Sequence, residues 1–79
     1  MCPTVFRQAG FRFFFISREE PRMHVHVQHA SGEVKLWIEP RIEVAQNWGL
    51  RQQQLSRVKH LVEEHIDEIR AAWEDHFPS

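Results

Sequence analysis

Two short segments, "MHVHVQ" at residues 23–28 and "EVKLWI" at 33–38, alternate apolar and polar residues without a break. Between them lies "HASG", whose glycine is free to take positive φ. Alternation at period two sends successive side chains to opposite faces of a sheet, and two such runs around a short polar break read as an antiparallel hairpin. Setting Gln28 opposite Glu33 places Val27 opposite Val34, His26 opposite Lys35, Val25 opposite Leu36 and His24 opposite Trp37. Directly opposed residues point to the same side. The pairing therefore sorts Val25, Val27, Val34 and Leu36 onto an apolar face, and His24, His26, Lys35 and Trp37 onto the other. A slip of two residues would sort them equally well.

The rest of the chain has to cover that apolar face. "FRFFFIS" at 11–17 is aromatic and β-branched, as strands are. Phe11, Phe13 and Phe15 share one side and Arg12, Phe14 and Ile16 the other, so this strand is expected to be covered at least partly on both. Pro40 ends the hairpin's second strand. "RIEVAQNWG" at 41–49 fits either an edge strand or a short helical turn, ended by Asn47 and Gly49. From about residue 51 to 76 the period turns helical. Leu55, Val58, Val62, Ile66, Ile69, Trp73 and Phe77 form the stripe, with Glu63, Glu64, Asp67, Glu68 and Arg70 outside it. Leu50 is placed to staple the first turn to Leu55. A helix of about 25 residues is about 37 Å long, more than a hairpin strand, so its far end is expected to project, bend or meet another chain. The expectation is an α+β fold: a three- or four-stranded antiparallel sheet packed against one long C-terminal helix, in a single domain spanning 1–79. The face bearing His24, His26 and Trp37 is left open to solvent or to a partner.

With 79 residues the chain is near the lower limit for folding alone. Cys2 is its one cysteine, so no internal disulfide supports it; six Phe, three Trp and a 42% hydrophobic content supply the packing instead. No stretch approaches the ~20 apolar residues of a membrane span, and the start lacks a signal-peptide core, so the expectation is a soluble cytoplasmic protein with no membrane partner. The net charge of −1 does not point to nucleic acid. Its distribution is uneven: residues 1–51 carry seven basic and five acidic groups, residues 52–79 three and six. Arg7, Arg12, Arg18, Arg22, Lys35 and Arg41 supply at most a modest basic face, and ordinary solvated charge explains them as well.

Three histidines within six positions, His24, His26 and His29, mark the candidate site. Side chains two apart on a strand converge, and His-x-His can hold a metal, yet zinc requires a third or fourth ligand. His29 has the wrong parity, Glu33 the right one, and Lys35 sets an ammonium against His26. No metal and no cofactor is therefore assigned, although a divalent-metal site remains one reading. A second reading makes His24, His26 and Lys35 catalytic, as acid, base and charge-stabilising cation for phosphodiester cleavage in RNA. Trp37, Arg22 and Glu33 are the candidate binding residues of the same face, and Trp37 its exposed anchor. A third reading is structural: the histidines are strand residues, and His24 makes a cross-strand aromatic pair with Trp37. Trp73 falls on the helical stripe and is expected in the core. Trp48 stays unassigned, and His65, beside the stripe, is expected to be partly buried.

The series "FRFFFIS", "PRMHVHV", "GEVKLWIEP", "NWGL" and "LVEEH…I…AW…F" resembles a small bacterial family, the domain of unknown function DUF4160, over nearly the whole chain. The likeness rests on Pro21 with His24-Val25-His26-Val27, Gly32-Glu33 with Lys35 and Trp37, Asn47 with Gly49, and Ala72-Trp73. It implies a short, standalone protein with no established activity, often encoded beside another small domain. A protein-interaction role in a toxin–antitoxin-like pair follows, with a partner encoded nearby or self-association; RNA is the alternative partner. Two departures stand out. Arg22-Met23 replaces a second proline before the His pair, and Arg51 stands where the family tends to have Ser or Asp at the helix start. A lost N-cap costs about 0.5–2 kcal/mol, so the first helical turn is expected to fray or shift.

Overall fold

The computed structural model describes residues 4–16 and 21–77. Cys2, Arg18 and Pro78 lie outside them. Five antiparallel strands run in chain order as a meander: β1 (Thr4–Gln8), β2 (Phe11–Phe14), β3 (His24–His29), β4 (Gly32–Trp37) and β5 (Glu43–Trp48). Two helices follow, α1 (Gln52–Glu64) and α2 (Ile66–His76). The α+β class holds, but the sheet has five strands rather than three or four, and two helices stand in place of one long helix.

The β3–β4 register is the one deduced from alternation, from His24 opposite Trp37 to Gln28 opposite Glu33. Phe13 pairs with Val27, and with Phe11 and Phe15 it extends the apolar face across β2. Val25, Val27, Val34 and Leu36 are fully buried in one cluster with Val58, Leu61 and Val62 of α1 and Ile69 and Trp73 of α2. Strand β1 is an addition to the expected sheet. It is joined to β2 by a two-residue turn in which Ala9 (φ 54°) and Gly10 (φ 82°) both take positive φ, the conformation that matches the twist of a tight hairpin. Phe6 then stacks on Phe13 at 4.2 Å.

Helix α1 begins sharply at Gln52 despite its arginine N-cap. A guanidinium has no acceptor with which to cap an N–H, and two neighbours compensate. Gln54 Oε1 accepts the Arg51 backbone N–H at 2.8 Å. The Asn47 side chain brackets Leu50, donating to its carbonyl at 2.9 Å and accepting its N–H at 3.0 Å. Leu50 and Leu55 both join the core, as the staple requires.

The helical run breaks at His65 (φ −109°, ψ 21°), whose N–H is shared between the Leu61 and Val62 carbonyls. Its ring stacks on Phe6 at 4.0 Å, Nδ1 donates to the Glu68 carboxylate at 2.9 Å, and Nε2 lies 2.8 Å from the Gln8 side-chain amide. The break thus falls where the helix is tied to the edge strand β1. It lets α2 return Ile69 and Trp73 to the core, so the helical run bends where one straight helix was expected. His65→Ala removes the stack and both hydrogen bonds. We expect a loss of about 1–3 kcal/mol in urea denaturation. Glu68→Gln, which alters only a half-exposed pair, is expected to change stability by less than about 1 kcal/mol.

Candidate functional site

His24, His26, Lys35 and Trp37 share a parity opposite to that of Val25, Val27, Val34 and Leu36, and at His24 that side meets Trp73 of the apolar cluster. The face is not open. His24, His26 and Lys35 are only 1%, 2% and 5% exposed, and Trp37 is half-buried. The expectation of solvent-accessible imidazoles is corrected by what packs on them. Phe14 of β2, itself buried, lies opposite His26 and stacks on it at 5.6 Å. Trp73 of α2 meets the edge of His24 at 5.1 Å. His24 also makes edge contacts with His26 at 5.3 Å and with Trp37 at 5.9 Å, the cross-strand pair that the register implied.

Cations complete the packing. The Arg22 guanidinium sits 4.2 Å over the Trp37 ring, and Lys35 Nζ lies 4.7 Å from the same centroid. Arg22 is fixed further by donating from Nε to the Glu39 carbonyl at 2.8 Å and by the Glu43 carboxylate 3.7 Å from its Nη2. Trp37 is therefore held beneath two cations instead of standing free as an anchor. Glu33, half-buried, keeps a carboxylate oxygen 3.8 Å from His26 Nδ1.

The hydrogen bonds fix the chemistry of the first histidine. His24 Nδ1 is 2.7 Å from the Arg22 carbonyl oxygen. A carbonyl can only accept, so Nδ1 carries the proton and donates. His29, by contrast, lies on the other side of the hairpin, tilted against Phe11 at 4.6 Å, and its Nδ1 accepts the Ser31 N–H at 3.0 Å. The structure brings His24, His26 and Lys35 together and leaves His29 apart. Among the described residues, no three His, Cys, Asp or Glu side chains are grouped to hold a metal ion.

Among the described residues, the large hydrophobic side chain that does stand in solvent is Trp48, 48% exposed, at the end of β5. It faces Glu33 across the β4–β5 ladder. Its backbone is closely packed. Gly32 lies against the Trp48 carbonyl, and Gly49 (φ 99°) approaches Ser31 so closely that a Cβ there would fall 2.8 Å from the Ser31 carbonyl oxygen. Asn47 closes the turn that follows. A fixed backbone carrying an exposed indole is the feature that sequence pattern alone does not assign.

Fold and site together define a small α+β domain: a five-stranded meander backed by two helices, with an occluded histidine pair and a tryptophan on its last strand. The family model described as domain of unknown function (DUF4160) matches residues 10–74, and the chain belongs to that family. No curated protein and no solved structure matches the chain. Among the described residues no helix is long and apolar enough to cross a membrane.

Proposed function

We propose that this domain is a protein-interaction module, one component of a two-gene, toxin–antitoxin-like unit in the bacterial cytoplasm, and that it engages its partner along β5. The observation that carries this reading is the exposure of Trp48 on a strand at the border of the sheet. An edge strand offers unpaired N–H and C=O groups to an incoming strand, and a neighbouring aromatic side chain supplies the anchor. Tryptophan is among the residues most enriched where truncation abolishes binding. Residues Gln46, Asn47 and Trp48 are all exposed. The packing of Gly32 and Gly49 around them lowers the cost of ordering the strand on binding.

Co-purification of the chain with the product of its neighbouring gene, followed by size-exclusion chromatography, tests the reading. A complex is expected at micromolar concentration. Trp48→Ala is expected to weaken it by at least about tenfold, while leaving stability within about 0.5 kcal/mol of the parent, as surface substitutions do. Two proteins that elute separately, or a complex indifferent to Trp48→Ala, would refute it.

A further inference from the structure

The first turns of α1 and the β1–β2 turn border a cleft of about 380 Å³, lined by Ala9, Phe11, His29, Gln53, Gln54 and Arg57. The register explains why these residues converge. Phe13 stands opposite Val27, and both belong to the core that the sheet shares with the helices. Phe11 and His29 each lie two residues further along their strands toward the same end. They therefore keep that side of the sheet, and their rings meet at 4.6 Å. On α1, Arg57 follows Gln53 by four residues and Gln54 by three, spacings that share one helix face. The sheet thus supplies an aromatic floor and the helix a polar wall.

The polar groups around the cleft are not equally available. Gln54 is committed to its own turn: Oε1 accepts the Arg51 N–H at 2.8 Å, and Nε2 donates to Ser31 Oγ at 3.2 Å. His29 Nδ1 accepts the Ser31 N–H, which leaves the proton of the neutral ring on Nε2. Arg57 is exposed, and among the described residues no carboxylate pairs with its guanidinium. Its neighbours three and four positions away on α1 are Gln53, Gln54, His60 and Leu61, and the lining of the cleft contains no acid. One uncompensated guanidinium therefore stands beside an apolar floor.

We infer that this cleft binds a small aromatic carboxylate, its charge on Arg57 and its ring against Phe11 and Ala9. A guanidinium fork matches a carboxylate through two parallel N–H···O bonds. One cation balances one negative charge, whereas a phosphoryl group carries nearly two and three strong acceptor oxygens. A ring gains from edge or offset contact with Phe11 and His29, and the Gln53 amide adds a donor at the rim. The volume suits a small ligand. No residue of β5 lines the cleft, so the inference stands whether or not partner binding there is correct.

Backbone amide chemical shifts of the full chain, titrated at neutral pH and low salt, decide the matter. The probes are phenylacetate, phenylacetamide (the same ring without charge), acetate (the charge without a ring) and phenyl phosphate. Phenylacetate is expected to give saturable shifts at Ala9, Phe11, His29 and Arg57, and the other three probes to bind more weakly. Arg57→Gln is expected to weaken phenylacetate by about tenfold with an unchanged urea midpoint. Lys59→Gln, which removes an exposed cation of α1 outside the lining, is expected to leave binding as it is. Four results overturn the inference. One is no saturation by phenylacetate up to about 10 mM. The others are phenylacetamide or acetate bound as tightly as phenylacetate, phenyl phosphate bound as tightly or more so, and a loss in Arg57→Gln no greater than that in Lys59→Gln.

Discussion

Trp73→Ala is expected to leave most molecules unfolded at 25 °C. The indole is the joint between α2 and the sheet. Its ring meets Phe15 at 5.4 Å and Phe77 at 4.3 Å, and reaches His24 at 5.1 Å. Emptying a buried aromatic site costs about 3–5 kcal/mol, because lost transfer energy and the residual cavity add. A single core in a chain of this size supplies roughly that much net stability. The substitution also strips one cover from the histidine pair, so its effect joins packing to the candidate site. Trp73→Phe, which keeps an aromatic ring in place, is expected to fold with a reduced urea midpoint. Cooperative unfolding of Trp73→Ala within about 1 kcal/mol of the parent would show that α2 is not anchored there.

The hairpin was legible because alternation and cross-strand parity fix which side chains share a face; registers two residues apart sort them equally well, and the one observed has Gln28 opposite Glu33. The helical stripe was legible for the same kind of reason. Its interruption was not, because period alone cannot see His65 drawn to Phe6 and to Gln8, the latter 57 residues earlier in the chain. Strand β1 escaped because "TVFRQ" has no clean alternation and lies largely exposed or half-buried at the border.

The site was legible in composition and misplaced in environment. Parity put the imidazoles opposite the helix-facing valines, which is where they are, but exposure does not follow from parity. Phe14 held the missing signal. Its position, apolar on the polar side of β2, already required cover on that face, and it stands opposite His26. Trp48 was hidden by a different effect. Strict alternation from Ile42 and Val44 would send it to the helix side. Between Leu36 opposite Val44 and Lys35 opposite Gln46, however, β5 carries one extra residue, Ala45. Such a bulge reverses the parity of everything after it. Trp48 therefore joins Glu33 on the outer face, and no pattern of period two in the sequence announces the change.

Gly32→Ala is the second substitution expected to have a large effect, and it separates the display of Trp48 from its chemistry. Glycine at the end of "HASG" suggested a need for positive φ, but the positive-φ glycines are Gly10 and Gly49. Gly32 is required by proximity instead. A Cβ there would overlap the Trp48 carbonyl oxygen and lie 3.0 Å from the Trp48 carbonyl carbon and 3.1 Å from Gly49 Cα. All three are backbone atoms, so no rotamer change relieves the clash, and β5 must move away from β4. Overpacking of this kind costs about 1–3 kcal/mol. The first pairs to open are Glu33 with Trp48 and Val34 with Asn47, which hold the indole at the border. Gly32→Ala is thus expected to lose both stability and partner binding, whereas Trp48→Ala loses binding alone. Urea denaturation beside the same chromatographic assay reads both quantities. If Gly32→Ala lowers the midpoint yet binds the partner as the parent does, the β5 border is not the surface that the partner meets.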